Sequence, residues 1–240
     1  GGVTGNVWLY GVFKTSNERW RAYFHEMQNF GEISAKYLAG GIFASINVKS
    51  SSTDERMYTC LNEGKVSVDL TNKNGVAGGI VGYSDSFEYK ICCNAGEITG
   101  YAKAGGLVGS ANNIVRCENS FNRGKISSNT YAGGLVGYGY TLKLDCVYNS
   151  GAIGVASTKE KNAKFGAIYG NGSSSSETTC CYYLDGTVSS SGGYNGNKLS
   201  ENKMKDLRYF EGFGNSWIDS DSDSDYKYPV LRNLKDERDV

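Results

Sequence analysis

Apolar residues recur along this chain in short bursts that follow paired glycines, and the bursts are separated by polar stretches in which apolar residues stand singly. The clearest burst is Ala132-Gly133-Gly134-Leu135-Val136-Gly137-Tyr138. Near copies begin at Gly1-Gly2, Ala39-Gly40-Gly41-Ile42, Ala77-Gly78-Gly79-Ile80 and Ala104-Gly105-Gly106-Leu107, and a worn copy runs Phe165-Gly166-Ala167-Ile168. The marker glycines Gly1, Gly40, Gly78, Gly105, Gly133 and Gly166 stand 39, 38, 27, 28 and 33 residues apart. Self-similarity at such a period marks a repeat architecture. A second motif keeps the same rhythm between the copies: Asn29-Phe30-Gly31, Asn62-Glu63-Gly64, Asn94-Ala95-Gly96, Asn122-Arg123-Gly124 and Asn149-Ser150-Gly151.

Within one unit, Asn-x-Gly reads as a chain corner, because asparagine and glycine tolerate the positive φ of tight turns. Lys125-Ile126-Ser127 alternates like a half-buried strand, Leu135-Val136 supplies a second strand and Thr141-Leu142-Lys143-Leu144 a third. The paired glycines leave space where a neighbouring coil's backbone comes close. Three strands and three corners in under about thirty residues predict one coil of a solenoid, stable only by stacking on its neighbours. Glycine inside the apolar segments disfavours helical repeats, at about 1 kcal/mol per residue. The expected fold is therefore all-β: a parallel β-solenoid of about six irregular coils over residues 1–198, with a small carboxy-terminal cap over 199–240.

The recurrent Ala-Gly-Gly-Leu-Val-Gly-Tyr with an intervening Cys-x-Asn-x-Gly resembles the GLUG repeat family across residues 1–186. Those repeats occur in large bacterial surface and secreted proteins, including adhesin-like proteins and non-catalytic regions of some IgA-cleaving metallopeptidases. The resemblance implies a β-helix at the bacterial cell surface or outside the cell, and no single activity. The fifth and sixth copies depart from the pattern, with Val147 in place of the cysteine and with Phe165, Ala167 and Tyr169 among the glycines.

Charge removes other classes. Lys+Arg and Asp+Glu both number 25, so no basic excess exists to hold nucleic acid. No run of about eighteen apolar residues argues for membrane insertion. The Gly1-Gly2 pair falls on the repeat motif, which is the pattern expected of a piece of a longer chain.

Candidate chemistry is sparse. The single histidine, His25, excludes a histidine cluster for a metal. No His-Glu-x-x-His is present. Seven cysteines, an odd number, fit stacked core thiols, because buried cysteine behaves as a small hydrophobe. The adjacent pairs Cys92-Cys93 and Cys180-Cys181 lack the spacing of a zinc site. Asp85, Glu88, Asp145 and Glu160 show no common phase, although acids from different coils can converge without a sequence signature. Asp219, Asp221, Asp223 and Asp225 alternate in a loop that fits either bound calcium, the one cofactor considered, or a solvated acidic stretch. The binding candidates are Tyr83, Tyr138, Tyr101 and Tyr131, which recur near the glycine pairs and offer rigid amphipathic area for a host glycan or an extracellular protein. From Leu199 the texture changes. Ser200 reads as a helix cap, and Leu207, Tyr209 and Phe210 form an apolar face expected to close the solenoid's open end.

These features predict a non-catalytic repeat module acting as an adhesin-like surface or stalk. The alternatives are a β-helical glycan-active enzyme or an accessory region of a secreted peptidase. Three or more carboxylates in one groove would favour the enzyme, and an exposed tyrosine ribbon would favour adhesion.

Overall fold

The computed structural model describes residues 6–9, 23–48, 56–188, 195–220, 227–232 and 234. The first glycine pair lies outside these. Coils wind through four parallel sheets. Sheet 1 holds the strands that follow the glycine pairs: Asn6–Leu9, Phe43–Val48, Val81–Ser84, Val108–Ala111, Val136–Tyr138 and Tyr169–Asn171. Sheet 2 is the long face and includes Tyr23–His25, Arg56–Tyr58, Phe87–Lys90, Ile114–Asn122, Thr141–Asn149 and Glu177–Leu184. Sheet 3 contains Ile33–Ala35, Val66–Val68, Ile98–Thr99, Ile126–Ser128 and Ile153–Val155. Sheet 4 contains Leu38–Gly40, Val76–Gly78, Lys103–Gly105, Tyr131–Gly133 and Lys164–Gly166. The parallel solenoid is as expected, but with a fourth strand per coil: the residues before each glycine pair form a sheet of their own.

Pairing is in register throughout, so equivalent residues stack into columns. Ile33, Val66, Ile98, Ile126 and Ile153 form one such buried column. Ala39, Ala77, Ala104, Ala132 and Phe165 form another. No coil encloses a core alone, and stability comes from neighbours.

The corners are not built as the sequence implied. Neither glycine of the pairs nor the glycine of Asn-x-Gly has a positive φ; among the described glycines only Gly186, Gly196 and Gly212 do. The asparagines end strands of sheet 2 and turn the chain through side-chain bonds. Asn122 Nδ2 donates to the Gly124 carbonyl at 2.8 Å, and its Oδ1 accepts from Gly124 N–H at 3.2 Å. The same side chains join coil to coil: Asn29, Asn62, Asn94, Asn122 and Asn149 form a buried chain of amides, each Nδ2 donating to the next Oδ1 at 2.7 Å.

Among the described residues, positive φ falls instead on six non-glycine positions in the middle of sheet 2: Glu26, Thr59, Ile91, Asn119, Cys146 and Cys180, at 46–55°. Each inserts one residue into the in-out alternation. Cys117 and Ser120 are both fully buried with two residues between them, where a flat strand would place one. Left-handed backbone costs roughly 1–2 kcal/mol for a residue with a Cβ. The aligned column of bends is sustained by packing on both sides.

The inward halves carry the main core, and the outward positions Leu61, Cys93, Phe121, Tyr148 and Tyr182 build a second apolar cluster with the carboxy-terminal segment. That segment has a one-turn helix Glu201–Met204, a 3-10 turn Leu207–Tyr209 and an antiparallel pair Trp217–Ile218 with Val230–Leu231. Ser200 takes the extended cap conformation but makes no side-chain cap bond. Met204 and Phe210 are buried whereas Tyr209 is exposed. The cap lies along the flank of several coils: Tyr148 Oη donates to the Pro229 carbonyl at 2.7 Å, and Trp217 Nε1 to Asn119 Oδ1 at 3.0 Å. The last strand of sheet 1 is closed by Asn195, whose Oδ1 accepts from Ile168 and Tyr169 N–H at 2.9 and 3.1 Å. Strand Asn197–Leu199 adds to the edge of sheet 2. Trp217→Ala removes a buried ring packed against Phe121, Tyr148 and Phe213. It is expected to lower stability by about 3 kcal/mol, measured by urea unfolding, with the solenoid's far-ultraviolet dichroism retained.

Candidate functional site

The outward face of sheet 2 presents two columns of polar side chains. Tyr23, Arg56, Glu88, Arg116, Lys143 and Glu177 stand in one; His25, Tyr58, Lys90, Glu118, Asp145 and Thr179 stand in the other. Opposite charges meet along them: Arg56 with Glu88 at 2.6 Å, Lys90 with Glu118 at 2.7 Å and Lys143 with Glu177 at 3.0 Å. A groove of about 150 Å³ opens between the columns, lined by Glu88, Arg116, Glu118, Lys143, Asp145 and Glu177 over Cys117 and Leu144.

Sequence phase missed this gathering. Glu88 and Asp145, which seemed unrelated, share the groove because the inserted bend and unequal corners shift residue counts without shifting register. Asp85 and Glu160 lie elsewhere, bonded to Asn113 and to Tyr101 respectively. Four carboxylates therefore line one groove, and three of them are matched to a cation. Asp145 turns to its own neighbour, Cys146, whose thiol lies 3.6 Å from Asp145 Oδ1.

The four candidate tyrosines separate into a pair and two outliers. Tyr131 and Tyr138 meet edge to face with ring centres 5.2 Å apart at the junction of sheets 4 and 1. Lys103 Nζ stands 4.4 Å from the Tyr138 ring centre and donates to Ser110 Oγ at 2.9 Å. Burial holds its ammonium pKa below the usual lysine value. Tyr83 stands in the column of Tyr138 but with Ser110 between them, so no continuous ribbon forms. Tyr101 is at a different corner, its hydroxyl donating to Glu160 Oε1 at 2.7 Å, which raises its pKa.

His25 stacks flat on Tyr58 at 5.3 Å. Asp219 Oδ1 accepts from Leu207 N–H at 2.7 Å, so it pins the cap's 3-10 turn; Asp221, Asp223 and Asp225 lie outside the described residues.

None of the seven cysteines is joined in a disulfide. Cys60, Cys92, Cys117 and Cys181 are buried in the main core and Cys93 in the flank cluster. Burial pushes the thiols of Cys92 and Cys117 well up, and that of Cys181 up to about 12. The bend sets how the adjacent pairs face: Cys92 faces in and Cys93 out, while Cys180 occupies the bend and Cys181 faces in. Cys146 and Cys180 are bend residues of consecutive coils. With Asp145 they form a group of three potential metal ligands whose atoms lie within 4.8 Å of one another. Their separation along the chain conceals them from any spacing rule.

No family model and no curated protein matches the sequence. Among solved structures, the fold is similar to that of a "putative immunoglobulin A1 protease" from Bacteroides ovatus, with a TM-score of 0.63 and 18% identity over 89% of this chain and 74% of that one. The likeness is one of fold.

Proposed function

We propose that this chain is a GLUG-type, non-catalytic β-solenoid module of a bacterial secreted or surface protein, an accessory region of the kind found beside a peptidase. Its binding surface is the edge formed by Lys103, Tyr131 and Tyr138. The observation that carries this reading is the Tyr138 ring held between a second tyrosine and a lysine whose ammonium meets that ring and the Ser110 hydroxyl. Tyrosine faces suit the apolar faces of sugars and flat protein surfaces, and an ammonium beside them favours an acidic group on the ligand. The similarity of fold to the Bacteroides ovatus protein supports the secreted, peptidase-associated setting.

A second reading is a β-helical glycan-active enzyme, favoured by the four carboxylates of the sheet 2 groove. Ion pairing of Glu88, Glu118 and Glu177 weighs against it, since a general acid or nucleophile acts through an oxygen it can offer to substrate.

Arrays of host glycans and extracellular proteins, probed with the purified chain, separate the two. Lys103→Ala/Tyr138→Ala is expected to lower affinity for any bound species at least tenfold while leaving thermal unfolding unchanged. Polysaccharide turnover abolished by Asp145→Asn, with binding untouched by the edge variant, would move the function to the groove.

A further inference from the structure

We propose that Asp145, Cys146 and Cys180 bind one thiophilic divalent cation, of which zinc is the type, at the seam between two coils and the carboxy-terminal cap. Register places the two thiols side by side: Asp145 pairs with Thr179 and Val147 with Cys181, so Cys146 faces Cys180. Both have left-handed backbone, with φ of 50° and 51°. This matters for where the sulfurs sit. The neighbours Leu144, Val147 and Cys181 are claimed by the main core, whereas bend side chains turn toward the cap: Ile91 and Cys180 pack against the flank cluster and Asn119 accepts from Trp217.

In the other coils the bend carries Glu26, Thr59, Ile91 or Asn119. Soft ligands occur at this position in two consecutive coils, beside a carboxylate. The three ligand atoms lie within 4.8 Å of one another. Tetrahedral zinc with sulfur at about 2.3 Å and oxygen at about 2.0 Å spaces its ligands roughly 3.4–3.8 Å apart. The group must therefore close by about 1 Å at its widest to take such an ion.

The cap supplies an independent observation. Gly212 has a φ of +91°, and a Cβ there would stand 2.0 Å from Cys180 Sγ. Its carbonyl oxygen lies 3.3 Å from Cys146 Sγ. The cap thus reaches the thiols at a residue without a side chain and turns a fourth donor, a carbonyl, toward them. Phe210 and Trp217, on either side of Gly212, are buried in the flank cluster and hold it there. Access is open from the other direction, because Asp145 lines the sheet 2 groove and Cys180 is partly exposed.

Paired thiolates select a soft or borderline ion over calcium or magnesium. Binding replaces two thiol protons: one M²⁺ enters, two S–H bonds are exchanged for two S–M bonds, two protons pass to solvent, and no redox change occurs. The site ties residue 212 to residues 145, 146 and 180, so metal and cap are held by the same contacts.

The test is titration of reduced, metal-free protein with Co²⁺. One ion per chain with thiolate-to-cobalt charge-transfer absorption is expected, bleached by Zn²⁺, with the thermal midpoint raised by Zn²⁺. Cys146→Ser and Cys180→Ser should each lose the band. Asp145→Asn should keep it with affinity lowered about tenfold, and Cys117→Ser, in the closed core, should keep it unchanged. No absorption from the reduced wild-type protein at millimolar Co²⁺ overturns the proposal, as does a band that survives in the Cys146→Ser/Cys180→Ser double variant. A reduced protein that takes up no cobalt but closes a Cys146–Cys180 bond when given a disulfide oxidant assigns the pair to redox chemistry instead, and equally overturns it.

Discussion

Gly106→Ala is expected to prevent folding. A single methyl group there would stand 2.1 Å from the Gly134 carbonyl oxygen and 2.6 Å from Asn122 Cγ. Both neighbours belong to in-register columns, and neither can retreat without moving the coil beyond it. The loss exceeds the roughly 4–5 kcal/mol that separates ordinary core lesions from exceptional ones. Gly154→Ala is the control, because nothing lies within 4 Å of the Cβ it would add, and its stability should stay within about 0.5 kcal/mol of wild type. Circular dichroism and urea unfolding of the two variants decide the matter. A folded Gly106→Ala protein would mean that the coils are not in the close contact described.

Asn94→Leu is expected to cost about 4 kcal/mol by urea unfolding, at similar side-chain volume. Asn94 donates to Asn122 Oδ1 and the Gly96 carbonyl at 2.7 and 2.9 Å, and accepts from Asn62 Nδ2 at 2.7 Å. Each buried partner left unsatisfied costs about 1–3 kcal/mol. Asn94→Asp gives the sharper signature. Its carboxylate still accepts from Asn62 but faces Asn122 Oδ1 and the Gly96 carbonyl with no proton to offer, so the folded state favours the protonated acid and raises its pKa above the unfolded value near 3.9. A raised folded pKa means stability fully present below the unfolded pKa and lost as pH climbs through the folded one. The variant should therefore be more stable near pH 4 than near pH 8, relative to wild type measured alongside.

These two predictions are one prediction seen from both sides. The space denied to a side chain at Gly79 is occupied by Asn94, whose Oδ1 lies 2.5 Å from where that Cβ would be; its Nδ2 lies 2.7 Å from the equivalent point at Gly124. The amide lies between the glycine of a pair and the glycine of the next Asn-x-Gly. That is why the two motifs recur in phase, a fact legible in the sequence before its cause was.

Periodicity, strand faces and the close approach at the glycine pairs were legible because each is written in a short motif that recurs in nearly every coil. The bends were not. Glu26, Thr59, Ile91, Asn119, Cys146 and Cys180 share a left-handed backbone but no side-chain chemistry, so tertiary packing alone imposes the conformation. The groove and the Cys146–Cys180 group escaped for a related reason: their members are neighbours across coils, and coils of unequal length make the spacing uninformative. The tyrosines erred in the other direction. Similar motif positions implied a ribbon, whereas Ser110 occupies the intervening place and Tyr101 belongs to another corner.

Unequal coils have a further meaning for the reach of the molecule. Gly105 and Gly133 are register partners, so a chain lacking residues 106–133 would join Gly105 to Gly134 at an equivalent point, with the columns closed over the gap. Adding such a unit would lengthen the body by about 4.8 Å, the spacing of hydrogen-bonded strands, with no new kind of contact. Distance between whatever lies at its two ends is thus a quantity that duplication and deletion can set in equal steps, independently of what the exposed corners carry.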